Sequence, residues 1–124
     1  MKIFNSDNSR WDDRVNFVDK NNVLVGYEIS TQCCEEPGWF ISDKEEIEKL
    51  ENQEFDLSDY FFDINFFKEI EDLEWLEEGS MVIFKLVSEK SKPLYLHLYN
   101  IQNGFYDCGF IFSNNNDIIK QSSI

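Results

Sequence analysis

Apolar and polar side chains alternate along residues 93–102, and this pattern restricts the fold more than any other feature of the chain. Leucines occupy positions 94, 96 and 98, with Tyr95, His97 and Tyr99 between them. Because successive side chains of a strand point to opposite faces, the alternation predicts a strand with one leucine face. Residues 80–88 and 105–113 are two further apolar runs. Asn103-Gly104 predicts a hairpin before the last of them, since glycine supplies a positive φ.

A second hairpin is predicted near the start of the chain. Residues 14–19 and 23–29 are rich in valine and aromatic residues, and Lys20-Asn21-Asn22 separates them. Asparagine tolerates the left-handed conformation that tight turns require. Residues 60–67 also alternate, which favours a strand that gives way to an irregular stretch through Asp72.

One short helix is predicted after position 42. Ser42 and Glu45 have the spacing of a capping box, in which each side chain satisfies a backbone N–H of the first turn. Ile47 and Leu50 would share a face of a helix ending near Asn52, and the other faces are acidic.

These elements predict an α+β, mainly β fold. A chain of 124 residues has the size of one domain. We expect a single domain over residues 1–124, with an antiparallel sheet of about six strands and one short acidic helix. Residues 114–124 are polar, and we expect them to form a frayed tail.

The net charge is confined to one part of the chain. Seventeen of the 25 acidic residues, but only three of the 11 basic ones, lie between Glu35 and Glu78. That stretch therefore carries the entire formal charge of −14, and the remainder is neutral. Solubility alone is one explanation, because added carboxylates keep proteins apart. The other is a face that meets a basic protein, where opposite potentials speed encounter.

The sign of the charge argues against two classes of partner. A phosphate ligand needs clustered lysine and arginine, so neither nucleic acid nor an anionic membrane is expected to bind. A basic protein fits, with aromatic side chains such as Trp39 and Trp75 as possible anchors. The predicted binding residues are the acids and one tryptophan of this stretch: Glu35, Glu36, Asp59, Asp63, Glu69, Glu71, Asp72, Glu74, Trp75, Glu77 and Glu78.

Catalytic and metal chemistry receive little support from the cysteines and the one histidine. Cys33 and Cys34 are adjacent rather than at the C-x₂-C spacing of a zinc site, and the following glutamates oppose a reactive thiolate. If the Asn103-Gly104 hairpin forms, His97 would lie near Asp107 or Cys108. A histidine bonded to its neighbour on a sheet is the commoner arrangement. We therefore expect packed thiols, no enzyme activity, no metal and no cofactor.

The compartment is inferred from the absence of export signals. Met1-Lys2-Ile3-Phe4 runs directly into polar residues, and no apolar run approaches the ~20 residues that span a bilayer. Three cysteines, two of them neighbours, do not form a disulfide framework. We expect a soluble, cytoplasmic protein.

Three segments carry a resemblance to a known class of protein. Residues 15–44 (VNFVDKNNVLVGYEISTQCCEEPGWFISDK), residues 60–67 and residues 95–112 (YLHLYNIQNGFYDCGFIF) together resemble small bacterial immunity proteins of contact-dependent growth inhibition and related toxin systems. The resemblance implies a non-enzymatic antitoxin that binds the C-terminal domain of a cognate bacterial toxin, a basic domain expected to be a nuclease. The alternative is a small regulatory or adaptor domain with another basic partner.

Overall fold

The computed structural model describes residues 1–7, 13–29, 36–47, 54–71, 79–101 and 108–124. These residues form ten strands and, within the ranges given, no helix. The strands are β1 (Lys2–Asp7), β2 (Asp13–Val18), β3 (Val23–Glu28), β4 (Glu36–Ser42), β5 (Phe61–Phe62), β6 (Lys68–Glu71), β7 (Gly79–Val87), β8 (Leu94–Ile101), β9 (Gly109–Asn114) and β10 (Asp117–Ser123).

The strands form two antiparallel sheets. Sheet A has the order β1-β2-β3-β9-β10, and sheet B has the order β4-β8-β7-β5, with β6 also paired to β7. The main core takes side chains from both sheets, and Phe84 of sheet B lies 5.0 Å from Phe112 of sheet A between ring centroids. The sheets therefore pack against each other with their apolar faces inward.

Sheet B is covered on both faces. Its second face carries a smaller cluster of Phe40, Met81 and Ile83, against which Ile47 and Phe66 pack. This arrangement explains the unbroken apolar run in β7, because a strand buried on both sides needs no polar alternation. All residues from Met81 to Phe84 are fully buried.

The prediction of one sheet of about six strands is wrong, and so is the prediction that β8 and β9 form a hairpin. β8 pairs with β4 and β7, whereas β9 pairs with β3 and β10. The leucine face of β8 and the phenylalanines of β9 lie across the core from each other rather than side by side. Asn103-Gly104 itself lies outside the described residues.

The hairpin predicted at Lys20-Asn21-Asn22 is confirmed. β2 and β3 pair from Arg14↔Glu28 to Val18↔Leu24, and Asn22 has a φ of 61°. The buried Asp19 carboxylate accepts hydrogen bonds from the backbone N–H groups of Asn21 and Val23, both at 2.9 Å. The side chain therefore stabilises the turn locally.

The prediction of a frayed tail over residues 114–124 is also wrong. β10 pairs with β9, and Asn115 and Asn116 between them have φ values of 50° and 73°. Two left-handed residues in succession are the geometry of a tight hairpin turn. Ile124 is 3% exposed, and its backbone bonds to that of Cys108 in both directions. The polar composition reflects an exposed edge strand.

Replacing Asn116 with alanine is expected to destabilise the fold, while replacing it with glycine is expected to be neutral. A Cβ in the left-handed region costs about 1 kcal/mol, which glycine avoids and asparagine partly offsets by local hydrogen bonding. Thermal unfolding should show a loss of about 4 °C for Asn116→Ala. Asn114→Ala is the control, since its φ is not positive. Equal melting points for the alanine and glycine variants would contradict the turn assignment.

The helix predicted after Ser42 is not observed in the described residues. β4 extends through Ser42, and residues 43–47 form bends rather than a helical turn. The Ser42 hydroxyl does accept a hydrogen bond from the Lys44 N–H at 3.1 Å, a local turn instead of a capping box. The rest of the predicted helix, residues 48–52, lies outside the described ranges.

Candidate functional site

The predicted binding residues divide into three groups. Six lie outside the described residues: Glu35, Asp72, Glu74, Trp75, Glu77 and Glu78. Glu36 and Glu71 are located by their backbone, as the first residue of β4 and the last of β6. Asp59, Asp63 and Glu69 are described with their side chains, and Asp59 and Glu69 are exposed.

These three acids lie along one edge of sheet B. β5 pairs with one end of β7 through Phe61↔Val87, and β6 pairs with the other through Glu71↔Ser80. Asp59 and Asp63 flank β5, whereas Glu69 lies in β6 and pairs with Val82 of β7. Val82 and Val87 are five positions apart along β7, which is about 17 Å at the usual rise of a strand. The predicted residues therefore follow an edge and do not converge on one point.

Three acids that were not among the predicted binding residues directly follow a strand of sheet B. Asp43, Glu45 and Glu46 follow β4, and they belong to the segment that was assigned to a helix. Lys68 of β6 bonds to Glu46 at 3.1 Å and lies 3.8 Å from Glu45. These contacts place residues 43–47 beside β6. Their acidic composition was visible in the sequence, but their proximity to β6 was not.

Local hydrogen bonds orient the carboxylates of Asp56 and Asp63 in this region. Asp56 accepts from the hydroxyl of Ser58 at 2.8 Å and from its N–H at 3.1 Å, and these bonds lower the pKa of Asp56. Asp63 accepts from the N–H of Asn65 at 3.0 Å, which closes the turn after β5. In both cases, the residue two positions further along the chain donates to the carboxylate and so orients it.

The described charges are distributed unequally between the two sheets. Ranges 1–7, 13–29 and 108–124, which form sheet A, hold five acids and four bases. Ranges 36–47, 54–71 and 79–101, which form sheet B and its connections, hold eleven acids and five lysines. Sheet A is therefore close to neutral, and the negative potential belongs to sheet B.

Of the two tryptophans proposed as anchors for a basic protein, Trp39 lies within the described residues. It lies in β4 and is 36% exposed, with its ring edge-on to Phe17 of sheet A at 4.9 Å. The ring thus closes the rim of the main core and presents the rest of its surface to solvent. Trp75 is outside the described residues.

His97 and Cys108 lie on opposite faces of sheet B, His97 in the second cluster and Cys108 in the core between the sheets. The prediction that a β8–β9 hairpin would bring them close together is therefore wrong. His97 is fully buried in the second cluster, stacked on Phe40 at 4.6 Å, with Nε2 3.2 Å from the carbonyl of Lys44. Cys108 is 2% exposed in the core between the sheets, as expected for a packed thiol. Asp107, Cys33 and Cys34 are outside the described ranges.

Neither a metal cluster nor a membrane span is found in the described part of the chain. No group of three or more histidine, cysteine, aspartate or glutamate side chains there could hold a metal ion. Across those same ranges, no helix has the length and apolar character needed to traverse a bilayer.

Tyr27 illustrates how the polar groups between the sheets are satisfied. Its hydroxyl donates to the carbonyl of Tyr99 at 2.6 Å, which joins sheet A to sheet B. Burial raises the pKa of the Tyr27 phenol, so it remains a neutral donor. The bond fixes β3 of sheet A against β8 of sheet B.

Comparison with known proteins adds no relative. No protein-family model, no curated protein and no solved structure matches this chain. Function is therefore inferred from the charge and geometry of sheet B.

Proposed function

We propose that the protein is a cytoplasmic bacterial immunity protein that neutralises a basic toxin domain, expected to be a nuclease. The observation that carries the proposal is the unequal charge of the two sheets, with eleven acids against five lysines on the sheet B side. Such a layout gives one side of the molecule a negative potential and leaves the other side close to neutral.

The mechanism requires binding and no chemistry. A nuclease holds the phosphates of its substrate with lysine and arginine, so its active site is positively charged. Carboxylates of sheet B would occupy the positions of phosphates and exclude the substrate. Exposed acids such as Asp59 and Glu69 would steer the toxin and raise the association rate.

The edge of sheet B also suits a protein interface. β5 and β6 are short and separated by a turn, so this edge offers no continuous ladder to an extended strand. Contact through side chains is then favoured over strand addition. Trp39 could supply an aromatic anchor at the opposite edge of the same sheet, where β4 lies.

Charge reversal on sheet B is expected to weaken toxin binding, whereas the same change on sheet A is not. The sheet B double variant is Asp59→Lys/Glu69→Lys, and the sheet A double variant, which is its control, is Asp13→Lys/Asp117→Lys. All four side chains are exposed, and each double variant shifts the formal charge by four units. The sheet B pair should raise the Kd for the cognate toxin domain by at least about tenfold and flatten its salt dependence.

Calorimetry of the purified toxin domain with each double variant measures this effect. Survival of cells expressing the toxin shows whether binding protects. Equal losses for both pairs, or no loss for either, would remove sheet B as the interface. Binding of a basic protein without any protection of the cell would favour the adaptor reading over immunity.

A further inference from the structure

The outer face of sheet A combines apolar side chains with one arginine and one glutamate. Val15, Phe17 and Val25 point into the core, so their neighbours along β2 and β3 point outward. Register extends this face to β1 through Phe4↔Asn16 and to β9 through Gly26↔Ile111. The outward side chains that matter here are Phe4, Arg14, Val18, Leu24, Glu28 and Ile111.

Arg14 and Glu28 are register partners on this face, yet they lean over different glycines. Arg14 Nε lies 2.8 Å from the position that a Cβ on Gly26 would occupy. Glu28 Oε1 lies 3.2 Å from the corresponding position at Gly109, and its Oε2 accepts the Gly109 N–H at 3.1 Å. The two side chains lie against the sheet because neither glycine has a side chain to displace them.

Among the described residues, Arg14 has no counter-ion. Its Nε is buried and has no hydrogen-bond partner, and among the described residues it forms no ion pair. A buried N–H with no acceptor costs free energy and calls for an explanation. Glu28 is exposed and has a carboxylate oxygen that no hydrogen bond within the described ranges uses.

We infer that the outer face of sheet A binds a second copy of this chain, with Arg14 of each copy on Glu28 of the other. A two-fold axis through the face makes this contact twice, because an isologous interface uses the same patch on both subunits. Exposed Phe4, at 40%, and the half-buried Val18, Leu24 and Ile111 supply the apolar area around the pairs. The guanidinium group of Arg14, which is half-buried, thereby gains a carboxylate partner that no described residue of its own chain supplies.

The charge layout selects this face for self-association. Two chains of −14 repel each other, most strongly where sheet B of one meets sheet B of the other. The outer face of β1, β2, β3 and β9 carries only Lys2, Arg14 and Glu28 as charged side chains. Contact through sheet A keeps the acidic sheets far apart, and it leaves the proposed toxin-binding side open in both copies.

The size of the face sets the expected strength. Five strands about 4.8 Å apart and about 20 Å long cover on the order of 500 Å² per copy. That is below the area of a standard stable interface, so the dimer should be weak and reversible, with a Kd in the micromolar range or above.

Sedimentation velocity over a concentration series from 5 μM to 1 mM, using the full chain alone, tests the inference. The wild type is expected to shift reversibly from monomer to dimer. Arg14→Glu and Glu28→Arg should each raise the dimer Kd at least tenfold, because like charges then face each other across the axis. The double variant Arg14→Glu/Glu28→Arg should recover most of that loss.

Two controls separate the interface from effects on folding. Asp13→Arg changes the neighbouring residue of β2, whose side chain points to the other face, and should leave the dimer unchanged. Glu28→Gln keeps an acceptor for the Gly109 N–H and should weaken the dimer less than Glu28→Arg. A monomer at 1 mM overturns the inference, and so does a folded double variant that dimerises no better than its weaker parent. Neither result bears on toxin binding by sheet B.

Discussion

Replacing Asp19 with alanine is expected to lower the free energy of unfolding by about 3–5 kcal/mol. Losses of this size occur when the shared acceptor of several buried hydrogen bonds is removed. The Asp19 carboxylate is 6% exposed and accepts three backbone N–H groups. Two belong to the β2–β3 turn, and the third is that of Phe62 in β5, at 2.8 Å. One side chain thus bonds a turn of sheet A to an edge strand of sheet B.

The size of the loss follows from what remains after the substitution. The N–H groups of Val23 and Phe62 are buried, so water cannot replace the carboxylate without opening the core. Hydrogen bonds to a charged acceptor contribute about 1.5–3 kcal/mol each, more than bonds between neutral groups. β5 has only two residues in its ladder and depends on this contact more than a longer strand would.

Urea denaturation of Asp19→Ala and two comparison variants measures the effect. Asp19→Asn retains one acceptor oxygen and should lose less than the alanine variant. Asp63→Ala removes a half-buried carboxylate that makes one turn hydrogen bond in an exposed turn, and it should cost less than about 1 kcal/mol. Equal midpoints for Asp19→Ala and Asp63→Ala would show that the link between the sheets contributes little.

The strands were predictable from local pattern, but their partners were not. Alternation in β8 and the asparagines before β3 identified those elements because side-chain period and turn conformation are properties of a few consecutive residues. Asn103-Gly104 misled the prediction because a turn signal does not show whether the chain returns to the same sheet. That choice depends on which apolar faces meet in the core, and β8 and β9 meet there across it.

The hairpin of β9 and β10 is the opposite case, because it is present in the structure but was not predicted from the sequence. Asn115 and Asn116 are turn residues of the expected type, yet the polar residues after them suggested a tail. β10 is an edge strand exposed along all seven residues, so burial imposes no alternation on it. The consecutive asparagines were the sequence signal that could have identified this hairpin, because asparagine tolerates a positive φ.

The candidate site was predictable as a segment of the chain and not as a surface. Charge counting identified the stretch from Glu35 to Glu78, since composition needs no structure. The contact of Lys68 with Glu46 depends on where residues 43–47 meet β6, and no local pattern encodes it. For the same reason, the outer face of sheet A with its few charged side chains became visible only once the register of β2 and β3 was known.

Replacing Phe84 with alanine is expected to lower the free energy of unfolding by about 3–5 kcal/mol, the usual cost of truncating a buried phenylalanine. Phe84 is fully buried in β7, and its ring is adjacent to four others: Phe62, Phe67, Phe110 and Phe112. Two of these rings belong to sheet A and two to the β5–β6 edge. The ring therefore joins the acidic edge to the opposite sheet, and its loss leaves a cavity bounded by rigid aromatic groups that collapse poorly.

Graded substitutions make the Phe84 prediction independent of whether the alanine variant folds. Phe84→Leu retains most of the volume and should cost about 1–2 kcal/mol, with the acidic edge still in place. Phe4→Ala removes the same side chain from an exposed position and should change stability by no more than about 0.5 kcal/mol. Urea denaturation followed by tryptophan fluorescence gives the three values. If Phe84→Leu is no less stable than Phe4→Ala, the four rings around Phe84 do not form the contact on which the two sheets depend.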